Sequence, residues 1–79
     1  MGEIAMLKEK IAARKYKSME LTGEIDRKIR DIRAALPPLT KIKDMRLPLV
    51  AQLAAEAAAL QSEYLELLRE IEEAEKELA

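Results

Sequence analysis

The sequence predicts an all-α protein: two long helices in an antiparallel coiled-coil hairpin joined by a Pro-rich connector, with two such hairpins pairing into a dimeric four-helix bundle. Three observations carry the prediction. Apolar residues recur at three- and four-residue steps on both sides of a proline cluster, which is helical periodicity. Pro37, Pro38 and Pro48 fall together near the middle of a 79-residue chain, where they break that periodicity once. The two flanking segments carry opposite charge, as two helices laid side by side require. Composition agrees: the chain is 49% hydrophobic and 37% charged with 2 glycines, and its only aromatic residues are Tyr16 and Tyr64. That is enough for one small domain spanning residues 1–79, and it is not a flexible linker.

The first helix is expected over about 3–36. Ile4, Leu7, Ile11, Ser18, Thr22, Ile25, Ile29, Ile32 and Leu36 recur along one stripe, apolar at both ends. Its middle is small and polar around Lys15, Ser18 and Thr22, flanked by Met19 and Leu21, so the centre is expected to be the weak part of the seam. Gly23 beside it costs about 1 kcal/mol of helix propensity relative to Ala and predicts local bending or fraying.

Pro37-Pro38 ends that helix because proline lacks an amide proton and restricts the residue before it. The connector, about 37–47, is long for a helix–helix loop and has room for a single helical turn. The second helix, about 48–78, starts between 44 and 48, with Asp44 as the candidate cap and Pro48 tolerated in the first turn. Within it Val50, Leu53, Ala57, Leu60, Tyr64, Leu67, Ile71, Ala74 and Leu78 alternate three- and four-residue steps without a break, the heptad signature of a coiled-coil seam. Six alanines between Ala51 and Leu60 favour helix and permit close approach of a neighbouring backbone.

Two helices of about 45 Å joined by so short a connector most economically fold back as an antiparallel hairpin, and charge supports that topology. Residues 3–36 carry nine basic and six acidic side chains, whereas 49–79 carry two basic and eight acidic. A hairpin places Lys8, Lys10, Arg14, Lys15 and Lys17 alongside Glu63, Glu66, Glu70, Glu72, Glu73 and Glu75, while two parallel copies would put like against like. The turn sets the register, with Ile32 opposite Val50, Ile25 opposite Ala57, Ser18 near Tyr64 and Ile11 opposite Ile71. Tyr64 is read as core filler. One seam leaves apolar surface uncovered, because Leu49, Leu65 and Leu68 fall outside it and Ala54, Ala58, Met19 and Leu21 widen the face. A face wider than two positions per heptad belongs in a bundle of three or four helices, supplied by a second copy of the chain or by a helical protein partner.

The residue inventory removes most chemistry. Cys and His are absent, and with them disulfides, thiol nucleophiles, imidazole acid–base work and the usual soft-metal ligands. The acidic run from Glu70 to Glu77 has carboxylates at helical spacing, but di-iron bundle sites also require histidine, so it is read as a solvated face. Asp26, Asp31, Glu20 and Glu24 lie among Lys and Arg at ion-pair spacing rather than as an isolated acid–base pair. No glycine-rich phosphate loop or nucleophile motif is present. The chain is therefore not expected to be an enzyme, and no catalytic residue, metal or cofactor is assigned.

Two surfaces remain as candidates. The connector holds Leu36, Leu39, Ile42, Met45, Leu47 and Leu49 amid Lys41, Lys43 and Arg46. These apolar residues are expected to fold back and plug the end of the bundle; otherwise they form an exposed apolar and basic tip for a protein or an anionic membrane surface. Ile42, Met45, Leu65 and Leu68 are the candidate interaction residues. Arg27, Arg30, Arg33, Lys41, Lys43 and Arg46 concentrate positive charge at the loop end and are the candidate nucleic-acid contacts. Against that use, no aromatic residue interleaves them and the net charge is −1. No apolar run approaches the roughly 20 residues a bilayer span needs. No basic stretch followed by an apolar segment opens the chain, and position 6 is Met where an acylation motif beginning Met1-Gly2 needs Ser or Thr. A cytoplasmic, non-enzymatic, self-associating interaction module is the expectation, with a small nucleic-acid-binding or regulatory protein as the alternative.

Overall fold

Long runs of good helix formers, interrupted only by prolines, leave the backbone few choices. The structure, a computed structural model, describes residues 2–79; Met1, which opens the acylation pattern, lies outside the described residues. Helix α1 spans Gly2–Ala35 and helix α2 spans Leu47–Leu78. Between them lies one turn of 3₁₀ helix, Ile42–Asp44. No strand occurs among the described residues. The helices pack against each other along their lengths as a rod of 64 × 15 × 14 Å.

Three ion pairs across the interface show the direction of packing. Lys28 meets Glu56 at 2.5 Å, Arg14 meets Glu70 at 3.2 Å and Lys15 meets Glu75 at 3.3 Å, so the later part of α1 lies beside the start of α2 and the earlier part of α1 beside its end. The helices are antiparallel, a helical hairpin.

The seam of α1 differs from the expected stripe. Its most deeply buried side chain is Leu21, only 1% exposed, whereas Thr22 is exposed and turns its hydroxyl back to the Met19 carbonyl at 2.7 Å. The interface side of α1 follows one unbroken heptad through Leu7, Ile11, Arg14, Ser18, Leu21, Ile25, Lys28, Ile32 and Ala35, each buried or half-buried. Arg14 and Lys28 occupy seam positions because Glu70 and Glu56 meet their charges at the edge while their aliphatic stems lie along the interface. The most deeply buried side chain of α1 thus lies at the centre of the seam, between half-buried Ser18 and Ile25. Ser18 donates to the Lys15 carbonyl at 2.7 Å and spends its hydroxyl within its own helix. The helix runs on through Gly23 without interruption, and nothing lies within 4 Å of where a side chain there would begin.

Pro37 to Thr40 forms a tight turn, with the Thr40 amide and hydroxyl both donating to the Pro37 carbonyl, at 3.4 and 2.9 Å. Leu39 holds φ at 70°, the left-handed region that favours glycine. With Pro38 locked at negative φ before it, this is the geometry of a type II turn. Asp44 does not cap α2: it belongs to the 3₁₀ turn, and Arg46 occupies the cap position with no side-chain bond. Pro48 stands in the first turn, where a missing amide proton costs nothing, and the Val50 amide reaches the Arg46 carbonyl at 3.1 Å.

Candidate functional site

Helix α2 meets α1 with side chains of two sizes, and this difference shapes the surface. Toward the free ends, Ile11, Ile71 and Ala74 form a buried cluster with Leu7 and Leu67 packed against it. Toward the loop, Ile25, Ile29 and Ile32 face the alanine-rich part of α2, and none of the three is fully buried. A methyl group is too short to cover an isoleucine from one side. An open groove of about 480 Å³ results, running along one flank of the hairpin between Ile25, Ile29 and Ile32 of α1 and Ala54, Ala57 and Ala58 of α2, with Thr22, Asp26, Gln61, Tyr64 and Leu65 at its margins.

The α2 wall of this groove belongs to a second heptad stripe. Leu47, Ala51, Ala54, Ala58, Gln61, Leu65 and Leu68 alternate four- and three-residue steps, and all seven are exposed. The stripe carries no charge until Glu72 continues it. Leu65 and Leu68, expected as interaction residues, therefore stand on an exposed apolar face, Leu65 at 56% exposure. Leu65 and Leu68, which the sequence places outside the seam, and Ala54 and Ala58, which it reads as widening the face, belong with Leu47 and Ala51 to one continuous stripe. Counting a second heptad offset from the first would have found it.

The opposite flank is charged. Lys28 donates to Glu56, whose other oxygen accepts from Gln52 Nε2 at 3.3 Å, and Glu24 and Glu63 lie nearby. The hydrogen bond from Lys28, then that from Gln52 and the positive charge of Lys28, hold the Glu56 carboxyl below the usual carboxylate range. Farther along α2, Arg69 lowers the Glu66 carboxyl through a hydrogen bond and is itself raised by that partner.

The connector does not plug the end of the hairpin. Leu39 is fully exposed and Ile42 is 81% exposed, while Met45 and Leu49 are half-buried. The tight turn and the 3₁₀ turn use up the chain between the helices, leaving these side chains no path back over the helix ends. Of the candidate interaction residues, Ile42 thus stands at the tip, apart from the stripe holding Leu65 and Leu68. Arg27, Arg30, Arg33, Lys41, Lys43 and Arg46 are all exposed, and none takes part in an ion pair among the described residues. They cover the outer face of α1 and the tip without forming one row.

In the acidic run, Glu70 pairs with Arg14, Glu75 with Lys15 and Glu72 with Lys76. Among the described residues no three carboxylates converge on a point where they could hold a metal ion. No helix among them is long and apolar enough to cross a membrane. Comparison with known protein families, curated proteins and solved structures finds no match to this chain.

Proposed function

We propose that this protein is a self-associating coiled-coil hairpin, a cytoplasmic structural or protein-interaction module without catalytic chemistry, which pairs into a dimeric four-helix bundle. The observation that supports this reading is the open apolar groove between Ile25, Ile29, Ile32 and the alanine face of α2, continued by the uncharged stripe from Leu47 to Leu68. Apolar surface of that length on so small a chain gains roughly 25 cal/mol for each Å² removed from water, and a facing helix pair removes it.

Light scattering across a concentration series tests the reading. The expected result is a particle of twice 8.9 kDa. Ala58→Glu, at an exposed position in the groove wall, is expected to give a monomer of unchanged helix content by circular dichroism. A wild-type monomer at every concentration would overturn self-association.

A second reading, nucleic-acid binding, is favoured by the six exposed basic residues Arg27, Arg30, Arg33, Lys41, Lys43 and Arg46, which spend no charge on ion pairs among the described residues. It predicts a mobility shift of a generic duplex that weakens steeply with salt. No shift at low salt would remove it.

A further inference from the structure

Building on the self-association reading, we infer that the second copy lies antiparallel to the first, α2 against α2, with the two-fold axis passing beside Ala58. Three features of the chain select this arrangement.

The first is the order of the stripe. A two-fold axis at Ala58 sets Ala58 against itself, Ala51 against Leu65 of the second copy, and Leu47 against Leu68. Ala51 takes the larger Leu65 and Ala54 the larger Gln61 on each side of a centre of two alanines, where the backbones approach most closely, and Leu47 and Leu68 close the two ends. Interfaces with two-fold symmetry need this self-complementarity. Leu47 to Leu68 spans about 32 Å at 1.5 Å per residue, a continuous uncharged contact.

The second is length. Twenty residues separate Ala58 from Leu78, about 30 Å of helix. In the other direction α2 runs eleven residues to Leu47, about 16 Å, and the connector projects beyond the helices. The rod is 64 Å long and α1 accounts for about 50 Å of it, so the connector adds about 14 Å. Ala58 therefore stands near the midpoint of the whole rod. Pairing about that point brings two hairpins flush, each tip beside the free end of the other copy.

The third is charge. From Glu70 to the end, α2 holds five acidic residues and one basic, whereas the connector and the last turn of α1 hold Arg33, Lys41, Lys43 and Arg46 against Asp44. The antiparallel dimer sets each acidic run of α2, of which Glu70 and Glu75 also meet Arg14 and Lys15 of their own chain, beside a basic tip. A parallel dimer would stack acid on acid and base on base, at a cost in free energy and in encounter rate.

Disulfide trapping tests the arrangement, because the chain has no native cysteine. Ala58→Cys is expected to oxidise to a covalent dimer. Ala51→Cys alone and Leu65→Cys alone are expected to remain uncrosslinked, since each would lie about 21 Å from its own copy. Mixed while reduced and then oxidised, those two variants are expected to form the heterodisulfide. Circular dichroism of each variant checks that helix content is retained. A homodisulfide from Ala51→Cys as efficient as that from Ala58→Cys means a parallel pair and overturns the inference. A dimeric mass with none of these disulfides also overturns it while leaving self-association standing, and a monomeric mass overturns both.

Discussion

Ile11 and Ile71 meet near the free ends of the hairpin with Ala74, Leu7 and Leu67 around them, and both are buried; Ile25, Ile29 and Ile32 occupy equivalent ground near the loop, and none is. The two halves share one heptad repeat and one pair of helices. They differ in what α2 presents: Leu67, Ile71 and Ala74 on one side of Tyr64, and on the other Val50, Leu53 and Leu60 interrupted by Ala57 and flanked along the groove by Ala54 and Ala58. Periodicity decides which residues face the partner helix, but side-chain volume decides whether two helices alone can exclude water. The half with bulky residues closes itself. The half with alanines leaves its isoleucines half-buried along an open groove.

The largest effect that sharpens this contrast comes from truncating one isoleucine in each half. Ile71→Ala is expected to cost about 3 kcal/mol in thermal or denaturant melts, because a buried cluster loses its centre. Ile29→Ala is expected to cost about 1 kcal/mol when the chain is dilute, with the penalty growing as protein concentration rises and the groove is covered. Equal, concentration-independent costs would break the distinction between the halves.

Lys28→Leu tests whether the loop half is limited by its apolar content. Lys28 sits on the heptad of α1 with its side chain 32% exposed, and leucine there extends the apolar seam. Combined with Glu56→Gln, which leaves no partner charge stranded, it is expected to raise the melting midpoint by about 4 °C. A fall would mean that the bridge to Glu56 holds the loop half together.

A smaller gain is expected from Leu39→Gly, which relieves a left-handed backbone at a fully exposed residue. The relief of about 1 kcal/mol or more is partly offset by the larger entropy of an unfolded glycine, leaving about 0.5 kcal/mol net. A melt that drops instead would show that the Leu39 side chain is held by a partner.

The smallest effect is in pH. Glu56 has a lower pKa in the folded chain than its ordinary value, through its bond to Lys28, so its contribution is fully present above the usual carboxylate range. It is lost as pH falls through the lowered folded value. Glu56→Gln is expected to remove that portion and reduce the drop in melting temperature between neutral and acidic solution. An unchanged acid profile would assign the pH response to Glu66, whose carboxyl is also held low, by its bond to Arg69.

The seam of α2 was legible because its nine heptad positions are all apolar or aromatic. That of α1 was blurred at Arg14 and Lys28, whose charge drew the reading off the heptad and onto Thr22 in place of Leu21. Only the geometry shows Glu70 and Glu56 meeting those charges. Similarly, Asp44 has the side chain of a helix cap, but it ends the 3₁₀ turn two residues before the cap position, which falls to Arg46. The groove was legible in part, through Leu65 and Leu68, and the rest was hidden because alanine is neutral in any apolar pattern.

Hydrophobic spacing and the position of three prolines specify two helices and one reversal, since helical period and the missing amide proton are local properties of the chain. The short connector specifies that they fold back antiparallel, and opposite charge on the two segments supports it. Burial follows from contact between distant residues, and so it took the folded hairpin to place Leu21 at the centre, to turn Leu39 and Ile42 outward, and to leave the loop half open. Whether an apolar side chain is covered depends on the volume of what stands opposite, and no single helix carries that information.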